Sequence, residues 1–526
     1  MAWLRRMPVV AHAAALLAVL CALAVVVGTG TSFSEDEGAA IVQARQLADH
    51  GSWDVPHPAA DAYPSGIFYP YKASESGAKA RAPFARHPAY VVALAALWRV
   101  GGINALVGLS LLGTVVAALG AARIADRLAP GSARLALWAT GLGSPLFFDG
   151  FLVLAHTVGA AFAAWLAVIV VERNDRDAPF AALAAFGLAF GLVLVRTEGA
   201  FCVAAAASVL ALARRLSVAA ASAVGALSAL ALDRVWVRNI VGAPRAVATA
   251  FPALGNRFGV RGRIDAALTT LFRFSYDDGA RANVLLLLAL ALTAAAALAL
   301  RARARPAPLL AAAAAAAVVG RLFAAPPEVV PGLFVVTPVV CAGVGVGAFA
   351  FGDDRRRQLT LLLIVFAVAV LLTQYPQGGG VEWGGRYLAL VLPAAVALSA
   401  SALRAAPRSV LSALAVASIG LGALGLGAIH RAHERTATLL EAIPRHHDEL
   451  VVTTAGLLPR LDWPNFENRQ WLWVDPPRVD QVVEEMRARG VAHVAVVFPD
   501  ALAPTGWEGR GDAVPGLPWR VVDVAG

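Results

Sequence analysis

Runs of about 20 apolar residues with almost no internal charge recur along this 526-residue chain, and they constrain its fold more than any other feature. The first extends from Pro8 to Gly28. About 20 residues of α-helix match the roughly 30 Å hydrocarbon core of a bilayer, so each run can cross a membrane. Apolar residues make up 59% of the chain and charged residues only 15%, against about 25% charged in soluble domains. The sequence therefore predicts an α-helical, polytopic membrane protein.

The net charge of +9 could indicate a nucleic-acid-binding protein, but the arginines have the wrong distribution. They stand in short clusters between apolar runs, which is how cytoplasmic loops orient membrane helices. Nucleic acid is therefore excluded as a partner, and membrane lipids are expected. The three cysteines lie inside apolar runs, which leaves no disulfide framework and no thiolate metal site. The arginine clusters are Arg5-Arg6, Arg214-Arg215, Arg301/Arg303/Arg305 and Arg355-Arg356-Arg357.

The loop charges predict a topology with the N-terminus in the cytoplasm and about 12–14 membrane segments within residues 1–429, among them Leu135–Phe147 and Gly332–Phe351. Two long loops, 29–87 and 233–282, are then external. Residues 88–122 leave two alternatives open, because their two apolar pieces must make an odd number of crossings. Either the first piece is re-entrant, or both form one broken span. The high Ala and Arg content suits a GC-rich bacterial genome, so the chain is expected in a bacterial cell membrane.

The character of the chain changes from about His430, where short β-rich stretches replace the long apolar runs. The pattern predicts a small extracytoplasmic α/β domain, 430–526, which acts as a lid or acceptor-docking module. Its predicted strands are Leu450–Thr454, Trp471–Asp475, Val491–Phe498 and Trp519–Val524, and its predicted helix is Val479–Arg489.

Three carboxylates, Glu35, Asp36 and Glu37, follow the first apolar run directly. Ionised acids are too costly to keep in hydrocarbon, so the cluster is expected at the membrane face. It opens a predicted helix, Asp36–His50, with Ser34 as N-cap and Gly51 as the stop. The apolar stripe of this helix predicts that it lies on the membrane surface. The opposite, polar face comprises Gln43, Arg45, Gln46, Asp49 and His50.

Other polar groups fall on the same predicted external face, which is where an active site is expected. Asp149 and His156 flank a turn. They either bind the donor or the acceptor, or only pack as polar residues inside the helix bundle. Arg196 and Glu198 are expected to form an ion pair at a helix end, with or without a role in function.

Two stretches carry a resemblance to a known superfamily. Asp36-Glu37-Gly38 with Gly51-Ser52-Trp53 is similar to the first-loop motif of GT-C glycosyltransferases, which include protein O-mannosyltransferases and aminoarabinose transferases. Glu382-Trp383-Gly384-Gly385-Arg386-Tyr387-Leu388 resembles their late-loop motif. A weaker match is Arg238–Pro244. Together the matches cover about fifty residues, in the order and on the side that the superfamily layout requires.

The resemblance implies inverting transfer of a hexosyl or pentosyl group from a polyprenyl-phosphate sugar to an extracytoplasmic protein, lipid or polysaccharide. Asp36 is then the general base, and Glu35 and Glu37 either tune its pKa or cap the helix. Arg386 is the expected phosphate ligand. Trp383 and Tyr387 line the sugar or headgroup site, or else belong to an interfacial aromatic belt. The further donor-site candidates are Glu382, Arg196, Asp149 and His156.

No cofactor is expected, and a divalent cation is the less favoured alternative. His57 and His87 lie in the first loop, and His446-His447 lie in the tail, but neither set has the ligand spacing of a compact metal motif. Two other function classes stay open at this stage. A lipid or sugar transporter or flippase would place its charges near the bilayer midplane, and a non-catalytic glycan-assembly scaffold would tolerate loss of Asp36.

Overall fold

A computed structural model describes residues 8–53, 55–56, 81–82, 88–172, 178–236, 238–239, 259–273, 280–324, 330, 332–349, 351–373, 383–444, 450–456 and 458–525. Its α-helices are α1 Val9–Val27, α2 Glu35–His50, α3 Pro88–Leu128, α4 Ala133–Leu142, α5 Pro145–Asp149, α6 His156–Val171, α7 Ala178–Val195, α8 Gly199–Leu212, α9 Leu216–Trp236, α10 Gly259–Phe272, α11 Ala280–Arg301, α12 Ala307–Ala324, α13 Leu333–Val336, α14 Pro338–Gly345, α15 Asp354–Thr373, α16 Leu392–Leu403, α17 Arg408–Glu441, α18 Leu458–Leu461 and α19 Val479–Ala488.

The strands are β1 Val55–Pro56, β2 Arg81–Ala82, β3 Leu450–Thr453, β4 Gln470–Trp473, β5 His493–Pro499, β6 Asp512–Ala513 and β7 Trp519–Ala525. Strands β1 and β2 form a short antiparallel pair. The other five form one sheet in the order β4-β3-β5-β7-β6. In this sheet β3 is parallel to both β4 and β5, and β7 is antiparallel to β5 and β6.

Six helical segments of the described chain are long and apolar enough to cross a bilayer. Five shorter apolar stretches, each of 10–17 residues, lie within α6, α7, α8, α11 and α12. With the small C-terminal sheet, these confirm the predicted class, a helical multi-pass membrane protein with a small α/β domain. The six long segments are Val9–Val27, Pro88–Leu128, Leu216–Trp236, Asp354–Thr373, Arg386–Leu403 and Arg408–Glu441.

The chain between residues 88 and 128 is helical throughout except at two glycines. Gly101 has φ −152° and ψ 19°, and Gly102 has φ 56° and ψ −146°, so the helix is broken there. A positive φ is readily adopted only by glycine. The part from Ile103 to Leu128 is about 39 Å long and can span a bilayer alone, whereas the part before the break is about 20 Å long. These lengths favour the alternative in which the first piece does not cross.

Two stretches that the sequence predicts as single spans are not continuous helices. Leu135–Phe147 is interrupted between α4 and α5, where Ser144 is extended and caps α5 through its side chain. Gly332–Phe351 is divided into α13 and α14 at Thr337, which has φ −124° and ψ 71°. Pro338 follows Thr337, and the residue before a proline is biased away from the helical region. Composition marks both stretches as apolar but does not show these breaks.

The described residues group into two compact units. One contains those within 1–27, 107–233 and 246–428, and the other contains those within 28–106, 234–245 and 429–526. The first unit has a core of alanine, valine and leucine side chains on α6, α7, α8 and α16. Small residues allow close approach of membrane helices. Gly120 of α3 faces Ala164 of α6, and a Cβ added at Gly120 would lie 2.7 Å from the Ala164 methyl group. The backbones of α3 and α6 are therefore in close contact here.

The second unit contains the C-terminal sheet, which has a different helix on each face. Side chains alternate along the strands, as they do in any sheet with two covered faces. Val452, Leu472 and Val496 pack with α19, and Val451, Trp471 and Val497 pack with the end of α17. The four predicted strands and the predicted helix are present, each within about two residues of its expected bounds. The predicted change of character near His430 falls inside α17, which continues to Glu441.

A buried ion pair joins the segment after α18 to the sheet and to the end of α17. Asp462 is fully buried, and its Oδ2 accepts hydrogen bonds from Arg469 at 3.1 Å and from the Trp471 indole at 3.3 Å. The second nitrogen of Arg469 donates to the carbonyl oxygens of Leu440 and Ile443, both at 3.4 Å. Burial raises the pKa of Asp462, and the Arg469 charge opposes that rise. The pair therefore depends on both members being present.

Replacing Arg469 with Met should destabilise this domain by about 3–5 kcal/mol, since Asp462 is then left as an uncompensated buried acid. The measurement is thermal unfolding of the full chain in detergent, together with limited proteolysis of the domain. Arg469→Met combined with Asp462→Leu should recover most of the loss, because an apolar pair needs no charge compensation. Arg489→Met is the control, since Arg489 forms an exposed pair with Glu485 that is worth under about 1 kcal/mol.

Candidate active site

The acidic cluster lies in the first turn of α2, and its neighbours in the chain fix that turn. Ser34 is extended, and its hydroxyl accepts a hydrogen bond from the Glu37 amide at 3.4 Å. The Glu37 carboxylate in turn accepts the Phe33 amide at 2.8 Å. This reciprocal pairing satisfies amide groups that a helix start leaves without partners. Gly51 ends the helix in the left-handed conformation, with φ 64°. The predicted helix and both of its caps are confirmed.

The three carboxylates differ in what they contact. Glu37 is 3% exposed and forms part of the cap. Glu35 accepts a hydrogen bond from the Arg460 guanidinium at 2.8 Å. Asp36 lies between them in the chain and is half-buried. The residues on either side of Asp36 therefore both have structural partners, and these contacts fix the first turn of α2.

The remainder of α2 is more buried than its pattern suggests, which corrects the predicted polar face. Gln43 and Gln46 are buried, and the Gln43 amide donates to the Trp53 carbonyl at 3.3 Å. Arg45 donates to the Trp463 carbonyl at 2.9 Å, with its guanidinium over the Trp98 ring at 5.3 Å. The predicted polar face is therefore only partly exposed, because protein also covers the side of the helix that carries these glutamines. Asp49 and His50 are exposed as expected.

A second group of charged side chains lies in the other unit, where four separate pieces of chain converge. Asp149 ends α5, and His156 begins α6. Arg196 and Glu198 occupy the turn between α7 and α8. Arg386 begins a short 3₁₀ helix, Arg386–Val391, that packs against α6. The sequence predicted these residues as separate candidates, and the fold brings them together.

Distances and burial define this second group. The Asp149 carboxylate lies 3.8 Å from His156 Nδ1, and both side chains are at least 95% buried. Arg196 and Glu198 pair at 2.8 Å, which confirms the expected ion pair, although both are buried. Among the described residues, Asp149 Oδ2, Arg196 Nε and Glu198 Oε2 have no hydrogen-bond partner. Buried polar atoms without partners are uncommon in folded proteins, so this group of charged side chains is a candidate site.

Asp149 lies beyond the predicted span that ends at Phe147, and its protonation sets the charge of this group. Burial raises the pKa of Asp149 to about 7, while the charges of Arg386 and Arg196 act to lower it. With Asp149 neutral, the two guanidinium groups and the Glu198 carboxylate leave one net positive charge. With Asp149 ionised, that excess disappears. The group therefore favours an anion most when Asp149 carries a proton.

Two glycines give the segment Trp383–Tyr387 its shape. Gly384 and Gly385 have φ values of 80° and 67°, in the left-handed region. They turn the chain so that the Trp383 ring stacks on Phe148 at 5.5 Å and the Arg386 guanidinium lies over the Tyr387 ring at 5.6 Å. Trp383 is 3% exposed, and Tyr387 is half-buried. The segment thus fixes the start of the helix that carries Arg386.

Several predicted positions lie outside the described residues. They are Glu382, His57, His87 and His446-His447, together with most of the weaker motif, of which only Arg238 and Asn239 are described. Within the part of the chain that is described, no three His, Cys, Asp or Glu side chains are placed to hold a metal ion. The predicted roles of the site residues stay predictions, as does the absence of a metal.

Sequence reasoning missed Arg460. Its side chain is only 5% exposed, and it reaches Glu35 from a position 425 residues away. Its carbonyl oxygen also lies against Gly38, where an added Cβ would be only 1.8 Å from it. Neither its spacing nor its surroundings in the sequence distinguish Arg460 from the other arginines of the chain.

No protein-family model and no curated protein matches this chain by sequence. Solved structures similar to it include ArnT from Cupriavidus metallidurans bound to undecaprenyl phosphate, with 15% identity, TM-score 0.46 and 97% of each chain covered. Another is the Archaeoglobus fulgidus oligosaccharyltransferase AglB with an inhibitory peptide and dolichol-phosphate. It has 12% identity and TM-score 0.45, and the match covers 93% of this chain and 69% of AglB. Both are GT-C glycosyltransferases, the superfamily that the sequence motifs resemble.

Proposed function

We propose that this protein is a membrane glycosyltransferase that moves a hexosyl or pentosyl group from a polyprenyl-phosphate carrier to an acceptor hydroxyl on the outer membrane face. The observation that carries the proposal is the first turn of α2. Glu37 caps the helix, and Glu35 forms an ion pair with Arg460. Asp36 lies between these two residues and is half-buried. A carboxylate on a fixed helix turn, with acids on each side to tune its pKa, suits general-base catalysis.

In the proposed reaction, Asp36 takes the proton of the acceptor hydroxyl as that oxygen attacks the anomeric carbon of the donor sugar. The bond between the anomeric carbon and the phosphate oxygen breaks, and polyprenyl phosphate leaves with the bonding electrons. One displacement inverts the configuration at that carbon. Because negative charge grows on the leaving phosphate, cationic groups that bind it stabilise the transition state.

Arg386 is the proposed phosphate ligand, with Arg196, Asp149 and His156 as its buried surroundings. Arginine suits this role because its guanidinium stays charged and donates two parallel hydrogen bonds to a phosphate. The net positive charge that results when Asp149 is protonated also supports anion binding. Trp383 and Tyr387 shape this segment, and Glu382 stays a proposed donor-site residue.

The decisive experiment is transfer by purified protein in liposomes, using a panel of radiolabelled undecaprenyl-phosphate hexoses and pentoses and a cell-envelope fraction as acceptor. The carrier is chosen to match the lipid in the Cupriavidus structure. Transfer from one donor, with inverted configuration in the product, supports the proposal. No transfer from any donor by folded protein overturns it. We further propose that no metal is required, which an EDTA-treated arm of the same assay tests.

Replacing Arg386 with Ala should raise the KM for the donor about 10- to 100-fold, since a hydrogen bond to a charged group is worth about 1.5–3 kcal/mol. Arg386→Lys should recover part of the loss, because it keeps the charge but not the paired geometry. The measurement is initial rate against donor concentration. Arg305→Ala is the matched control, since Arg305 is exposed in a loop cluster between two helices. An unchanged donor KM in Arg386→Ala would remove Arg386 from the site.

A further inference from the structure

We propose that Arg460, from the C-terminal α/β segment, is a positioning residue for Asp36 that sets both the place and the effective charge of the acidic cluster. The inference rests on the proposed function, in which Asp36 is the base. It gives the C-terminal segment a direct part in the active site, instead of only the predicted role of a lid or docking module.

The contact between Arg460 and the acidic cluster is buried on the arginine side. The Arg460 side chain is 5% exposed, whereas the Glu35 side chain is 44% exposed. Burying a guanidinium is costly unless a charged partner is present. The Arg460 nitrogen donates to Glu35 Oε2 at 2.8 Å. The cation is thus placed next to the residue that precedes Asp36.

The backbone of Arg460 adds a second, independent constraint. Its carbonyl oxygen lies where a side chain at position 38 would begin, so α2 and α18 approach at Gly38 without an intervening side chain. Asp462, two residues further along the chain, is fixed by Arg469 and the Trp471 indole. The buried ion pair of the sheet domain therefore anchors the turn that carries Arg460, and Arg460 in turn anchors the start of α2.

Arg460 also offsets part of the negative charge of the acidic cluster. Glu35 and Glu37 flank Asp36, so three carboxylates lie within the first turn of α2. Arg460 supplies the compensating positive charge to Glu35. Among the described residues, the other charged or titratable groups on α2 include Arg45, Asp49 and His50. Those on elements that contact α2 or the loop before it include Arg99, His433 and Glu467.

The test is the pH dependence of kcat/KM in the liposome assay. In Arg460→Gln, the acid limb should move upward by about 0.5 to 1 pH unit, because loss of a nearby cation favours the protonated form of the base. Glu35→Gln should move it downward. The double variant should return it close to the wild-type position. Arg460→Lys, which keeps the charge, should leave the limb in place.

Controls separate positioning from general stability. Arg45→Gln removes a cation that lies more than two helical turns from Asp36 on α2. It should lower stability but move the acid limb far less than Arg460→Gln does. If Arg460→Gln and Arg460→Lys lose activity equally with no movement of the limb, Arg460 only packs and the inference is overturned.

A readout that needs no turnover keeps this test distinct from the test of the proposed function. Carbodiimide labelling of Asp36, followed by peptide mass spectrometry across pH, reports its protonation directly. The midpoint should move upward in Arg460→Gln. An active Asp36→Asn protein would refute the base assignment, and the labelling would still decide whether Arg460 controls Asp36. An unmoved labelling midpoint would overturn the inference alone.

Discussion

Replacing Asp36 with Asn should lower kcat for sugar transfer by about 10²- to 10⁴-fold, the range expected when a general base is removed. Asn has nearly the same shape, so the cap between Ser34 and Glu37 and the Glu35–Arg460 pair are expected to persist. The amide cannot accept the proton of the acceptor hydroxyl. The measurement is initial rate with the donor that the liposome panel identifies, at saturating donor and acceptor.

Asp49→Asn is the matched control for that experiment. It makes the same chemical change on the same helix, but at an exposed position in the last turn. Its transfer rate should equal that of the wild type. Thermal unfolding of Asp36→Asn in detergent should match the wild type within a few degrees, which shows that lost activity is not lost structure. Wild-type rates in folded Asp36→Asn would favour a non-catalytic scaffold.

Local patterns in the sequence predicted the elements that local forces determine. Short β-rich stretches predicted four strands of the C-terminal sheet, and the Ser34 cap and the Gly51 stop bounded α2. Each of these signals depends on residues within a few positions of one another. Helix breaks were harder to predict. The breaks at Ser144 and Thr337 lie inside apolar stretches whose average composition is that of a span.

The candidate site was predictable as a set of residue types but not as an arrangement. Asp149 and Arg386 are 237 positions apart, and only the packing of the 3₁₀ helix against α6 brings their charges together. The burial of Gln43 also could not be predicted, since the helical pattern shows only that Gln43 lies on the polar face and not what covers that face. The contact between Arg460 and Glu35 was not predicted, because no residue near Arg460 in the sequence indicates that it pairs with Glu35.

Replacing Gly38 with Ala should destabilise the protein and abolish most sugar transfer. Destabilisation would be the opposite of the usual effect of this substitution inside a helix. At an open position inside a helix, Gly→Ala normally stabilises by roughly 0.5–1 kcal/mol. Here the new Cβ would lie 1.8 Å from the Arg460 carbonyl oxygen and 2.7 Å from its carbon. Real contacts of this kind do not fall below about 3 Å. Backbone must therefore move, which should cost about 1–3 kcal/mol.

The loss of activity in Gly38→Ala should exceed what its stability loss explains, because the substitution lies two residues from Asp36. A displacement of about 1 Å at a catalytic group can cost about 10²-fold in rate. Unfolding temperature and transfer rate are measured on the same preparation, beside Gly30→Ala, where an added Cβ meets nothing within 4 Å. Gly30→Ala should change neither. A rise in the unfolding temperature of Gly38→Ala would show that α2 does not pack against the Arg460 backbone, and would remove the physical reason for a glycine after Asp36-Glu37.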